Sequence, residues 1–109
     1  MQQWDLKSLE VEPHRPVVLD SHVEGRSVAL TLPAGERLKE HQVHERAWIV
    51  VIEGEIEIES SGRTATGAAG SLTIFEPTED HEIRALTDAR LLLLLAPWPG
   101  EGRDPDVNA

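Results

Sequence analysis

The 109-residue sequence has no cysteine, no tyrosine, one phenylalanine and one methionine. Without cysteine the fold owes nothing to disulfides, and neither a thiol nucleophile nor a thiolate metal ligand is available. Basic residues are also scarce: ten stand against twenty acidic ones, only two of the ten are lysine, and the formal net charge is −10. No window gathers arginine or lysine into a patch, so the chain cannot neutralise a run of phosphates, and nucleic acid is excluded as an expected partner. The same field repels an anionic membrane surface and favours cations or neutral ligands over polyanions.

Long apolar runs are missing as well. The longest, "LLLLLAPW", is far below the roughly 20 residues that cross a bilayer. "MQQWDLKSLE" places charge where a secretory segment needs an apolar stretch, so the expected location is the cytoplasm. No serine sits on a strand-to-helix elbow, which excludes a Ser-His-Asp arrangement of that type. "GRTATGAAGS" lacks the lysine and following helix of a phosphate-cradling loop.

What remains is a chain of ordinary globular composition, 39% hydrophobic and 28% charged, long enough for one core. Residues 1–98 are expected to form a single domain and 99–109 a loosely held tail of turn formers and charge. Short segments alternate with period two, as strands with one wet face do. In "SVALTL" (27–32) Val28, Leu30 and Leu32 share a face; in "EIEIE" (55–59) Ile56 and Ile58 point in and the glutamates point out. "AWIVVIE" (47–53) reads as a strand covered on both faces, "LTIFE" (72–76) and "HEIRAL" (81–86) as further strands. "RLLLLLAPW" (90–98) is too short and too proline-bounded for a helix and reads as a buried strand. Gly54 marks a bend or bulge, and "SSGR" (60–63), "TGAAGS" (66–71) and "PTED" (77–80) mark turns. The glutamate stripe at 55, 57 and 59 reads as a solvated face at a sheet edge. No segment repeats at helical spacing, so the expected class is all-β: an antiparallel double-sheet β-barrel of jelly-roll type with very little helix.

Five histidines carry the chemistry of interest. His41 and His44 precede an apolar run, His81 opens a later strand, and His14 and His22 lie in an N-terminal stretch where solvated edge positions are expected. On a regular strand, residues three apart face opposite ways, so His44 joins His41 only if the chain bulges or has not yet entered the strand. Trp4, Trp48 and Trp98 are expected in the core or at a subunit interface, with Trp48 opposite in direction to Ala47 and Ile49.

Set on these residues, the sequence resembles small single-domain cupins of the RmlC-like kind over about residues 26–96. The first cupin motif is a glycine, five residues, His-x-His, then Glu and a closing Gly; the second runs from a glycine through Pro-x-Gly to His and Asn. Gly35, His41 and Gly54 match the first in register, and Gly70 and His81 match the second. Val43 stands at the second His position, Ala47 at the Glu position, Glu76 and Thr78 at the Pro and Gly positions, and Ala85 at the Asn position. The resemblance implies a cavity lined by His41, Val43, Ala47, Ile49, His81 and Ile83, and a homodimer. It leaves two functions open. One is a binding module whose His41 and His81 orient a small-molecule ligand, with no metal. The other is an isomerase, hydrolase or oxygenase using one divalent ion (Zn, Mn, Fe or Ni) held by His41, His81 and His44, or by a glutamate such as Glu40 or Glu45.

Overall fold

The computed structural model describes residues 1–40 and 45–97. His41, Val43, His44, Trp98 and the tail expected at 99–109 lie outside the described residues.

Nine strands form: β1 (Val17–His22), β2 (Gly25–Leu32), β3 (Arg37–Glu40), β4 (Arg46–Glu53), β5 (Glu55–Ser60), β6 (Arg63–Ala68), β7 (Leu72–Phe75), β8 (His81–Ala85) and β9 (Ala89–Ala96). All pairings are antiparallel. They make a five-stranded sheet in the order β1-β2-β9-β4-β7 and a four-stranded sheet in the order β3-β8-β5-β6. Only β1–β2 and β5–β6 are hairpins within one sheet; every other connection carries the chain between sheets, which is the double-sheet jelly roll. No helix forms among the described residues, and none is long and apolar enough to cross a membrane.

The core lies between the sheets and follows the period-two pattern. Val28, Ala47, Ile49, Val51, Ile56, Ile58, Ile83, Leu91 and Leu93 are all buried, each in phase with its cross-strand partners. β9 explains the leucine run. Leu91 and Leu93 point into the core, whereas Leu92 and Leu94 lie on the outer face of the larger sheet beside Val50 and Trp48. Residues 5–11 lap that outer face at one end: the Arg90 guanidinium donates to the carbonyl oxygens of Leu6, at 2.8 Å, and of Leu9.

Four expectations need correction. "TGAAGS" is not all turn, because β6 runs to Ala68; its Thr, Ala and Gly side chains carry no apolar alternation, and pairing with β5 makes the strand. The glutamate stripe is not at an edge, since β5 lies between β6 and β8, and Glu57 meets the Arg84 guanidinium at 3.3 Å across the β5–β8 pair. "AWIVVIE" alternates after all: Ala47, Ile49 and Val51 are buried, while Trp48, Val50 and Ile52 are half-buried. Trp4 is not core, being 38% exposed. Gly54 holds φ +85° where the chain leaves β4 for the other sheet, just past a bulge between Val51 and Glu53.

Candidate functional site

β8 enters the smaller sheet at His81, whose register partner across β3 is Glu40. Alternation then sets Ile83 and Ala85 on the same face as His81, and all three are buried. His81 is only 5% exposed. Its imidazole lies flat on the Phe75 ring, with centroids 4.0 Å apart and planes 12° from parallel. The stack joins the two sheets, because Phe75 ends β7 in the larger one and pairs with Ala47.

The loop before β8 fixes the ring. Glu79 folds back so that its carboxylate accepts the Glu76 backbone N–H at 2.9 Å, and the Ser60 hydroxyl lies 2.8 Å from its other oxygen. Those two donors, the backbone N–H first, hold the Glu79 carboxyl below the usual glutamate range. The Glu79 carbonyl oxygen lies 3.3 Å from His81 Nδ1. A carbonyl only accepts, so this contact is a hydrogen bond when Nδ1 carries the proton. That tautomer leaves Nε2 with its lone pair free to accept a ligand's N–H or O–H or to coordinate a cation.

β4 supplies the facing wall. Ala47 and Ile49 are buried as the sequence predicts, and Trp48 points the other way. Glu45, in the bend just before β4, is 6% exposed. A carboxylate is seldom buried unless it is paired or hydrogen-bonded, so its burial marks a polar position at this end of the core. Thus a buried carboxylate sits in the bend two residues before the position where Ala47 replaces the motif's glutamate. Glu45 had a place in the sequence reading only as a nearby oxygen donor; its burial is what the sequence did not signal.

Of the residues expected to line a cavity, Ala47, Ile49, His81 and Ile83 come together on the inner faces of the two sheets. His41, Val43 and His44 fall outside the described residues, so the expected convergence of His41 with His81 is carried only by sequence adjacency to Glu40. Among the described residues no three His, Asp or Glu side chains gather as a metal site. His14 and His22 sit apart from this wall, exposed and paired with Glu36 and Asp20 at 3.2 and 3.1 Å.

The profile of the cupin domain matches residues 28–97. The chain belongs to the cupin family. Among solved structures, it is similar to an RmlC-like cupin from Desulfovibrio desulfuricans, at 25% identity over 89% of this chain and 97% of that one, with a TM-score of 0.76. An uncharacterized protein with a double-stranded β-helix domain from Klebsiella pneumoniae matches at 20% identity, covering 94% of each chain, with a TM-score of 0.78. A Cupin 2 conserved barrel domain protein from Salinispora arenicola matches at 17% identity over 88% of this chain and 87% of that one, with a TM-score of 0.70. No curated protein sequence matches the chain. The cupin assignment covers the two-sheet sandwich from Val28, within β2, to the end of β9, including β4, β7 and β8.

Proposed function

We propose that this cupin binds a small organic molecule between its sheets, with His81 Nε2 as the polar anchor. The observation that carries this reading is the arrangement of His81 itself. The imidazole is buried, backed by Phe75 and held through Nδ1 by the Glu79 carbonyl, so one nitrogen is left for a guest. Ala47 and Ile49 on the inner face of β4, and Ile83 two residues along β8, are apolar, which suits a ligand with one or two polar groups on an apolar body. His41, next in sequence to the residue paired with His81, is the second anchor in this reading.

A metal-dependent enzyme is the second reading, and buried Glu45 is the observation that favours it. Imidazole nitrogen and carboxylate oxygen are a donor set that suits zinc, manganese, iron or nickel, and His81 and Glu45 would hold the ion, with His41 or His44. Bound there, a divalent ion would polarise a substrate oxygen or acidify a water. The chain's own part is to fix the His81 tautomer through Glu79 and to keep the site dry with Phe75, Ile49 and Ile83.

Metal analysis of protein made without a histidine tag separates the two. A stoichiometric ion, lost in both His81→Ala and Glu45→Gln, supports the enzyme. No bound ion, and no rise in Tm on adding each of the four metals, leaves the binding module, since a ligand of the folded state must raise its stability.

The same reading includes a homodimer through the outer face of the larger sheet. Two cross-strand rows there, Leu94–Trp48–Ile74 and Leu92–Val50–Leu72, hold no charge, and Leu72 and Ile74 are 56% and 47% exposed. With a chain charge of −10, an uncharged patch is where two copies meet with least repulsion.

A further inference from the structure

An opening lies at the end of the β3–β8 pair away from His81. β1 covers β2 only as far as the Val17–Ala29 pair, so residues 30–32 leave a free strand edge, and β3 is itself the edge of the smaller sheet. Between these two edges is a cavity of about 250 Å³, walled by Leu30, Leu32 and Leu38 and lipped by Pro16, His14 and Glu36.

Glu36 is turned toward this gap by register. Gly35 donates its N–H to Ala85 at 2.8 Å and Ala85 returns one to Glu36 at 2.9 Å, which sets Glu36 opposite buried Ala85, just as Leu38 stands opposite buried Ile83. Its carboxylate is therefore split between two surroundings. Oε1 meets His14 Nε2 at 3.2 Å near the surface, while Oε2 is buried and has no hydrogen-bond donor among the described residues. The adjacent cation does not serve it: Arg37 is out of phase and its guanidinium donates to Glu82 at 2.9 Å. A buried carboxylate oxygen without a donor is unfavourable, and native structures give nearly all such groups a partner.

We infer that this gap binds a small primary ammonium ion bearing a short alkyl chain, its N–H group donating to Glu36 Oε2 and its chain lying against Leu30, Leu32 and Leu38. A cation answers both the carboxylate and the field of a chain with charge −10. Water alone would satisfy the oxygen but leave the leucine wall unused. A hard divalent ion needs several oxygen ligands, and the gap offers only one carboxylate and the Thr31 hydroxyl beside three leucines. The volume holds only a small guest. The site is separate from His81 and independent of the function proposed for it: Glu36 opposes Ala85, four residues along β8 from His81, or about 13 Å at roughly 3.3 Å per residue.

The test is titration of the full chain with n-butylammonium chloride, with n-butanol and tetramethylammonium chloride as controls at matched ionic strength. Methyl NMR signals of Leu30, Leu32 and Leu38 should shift and saturate with n-butylammonium alone, and Tm should rise. Glu36→Gln should abolish both effects; His14→Ala should keep them. Absence of saturable shifts in the unsubstituted protein overturns the inference, as does equal binding by Glu36→Gln. Equal shifts with tetramethylammonium, which has no N–H to donate, would overturn it too, because they would report charge screening.

Discussion

The ring of Phe75, at the end of β7, and the imidazole of His81, at the start of β8, stack 4.0 Å apart and join one sheet to the other. Removing Phe75 opens a void in the core and frees the imidazole. Phe75→Ala is expected to cost about 3 kcal/mol or more, which lowers Tm by at least about 12 °C in a domain of this size. Phe75→Leu should lose much less stability yet still broaden or shift the His81 ring signals, since only the flat backing is gone. Chemical denaturation and histidine NMR on the two variants separate packing from ring placement.

Gly54 and Gly62 both hold left-handed backbone, at φ +85° and +76°, but differ in their surroundings. A Cβ at Gly54 would lie 2.2 Å from the Asp88 carbonyl oxygen, whereas one at Gly62 meets nothing within 4 Å. Gly62→Ala should therefore cost only the backbone strain of about 1 kcal/mol. Gly54→Ala should cost clearly more, about 3 kcal/mol, because Asp88 or the corner between sheets must move. Urea denaturation of the two variants reads the difference.

Arg46 and Glu76 form a two-point ion pair across β4 and the end of β7, at 2.7 and 3.3 Å. The guanidinium holds the Glu76 carboxyl below the ordinary glutamate range, by hydrogen bonding first and charge second. A carboxyl depressed in the folded state adds stability above its unfolded pKa, and that contribution is lost as pH falls through the folded pKa. In Arg46→Gln the Glu76 titration, followed by carboxyl NMR, should move up toward the ordinary value, and the stabilities of variant and parent should converge at acid pH. An unmoved titration would show that the pair does not persist in solution.

Trp48→Glu and Ile74→Glu place a charge in the middle of the uncharged outer face. If that face joins two copies, either substitution should give a monomer by sedimentation equilibrium with little change in the β spectrum, and Glu59→Gln on the other sheet should leave the association unchanged. A parent protein that sediments as a monomer ends this proposal.

Much of the fold was legible because it rests on alternation. Ile56 and Ile58, Ile83 and Ala85, and Val28 with Leu32 face inward as the pattern of 27–32, 55–59 and 81–86 requires. The leucine run read as a buried strand from its length and its bounding prolines, and His81 as an inward residue from the cupin resemblance. β6 escaped because "TATGA" has nothing apolar to alternate; the strand exists through its pairing with β5, and its side chains are largely exposed. The placement of β5 in mid-sheet was also illegible, since register with Arg84 is a long-range fact. The site follows the same division. The directions of Ala47, Ile49 and His81 are local, but the Phe75 stack, the hold of Glu79 on its loop and the orphan oxygen of Glu36 depend on strands meeting from distant parts of the chain.

β9, synthesised after the other eight described strands, is the middle of the larger sheet, bonded to β2 on one side and β4 on the other. Until it emerges from the ribosome, the β1–β2 hairpin and the β4–β7 pair have no common neighbour and only unpaired edges to offer. The smaller sheet can pair once β8 is made, but the larger one cannot close without β9, so the core between the two sheets should form in one late, cooperative step.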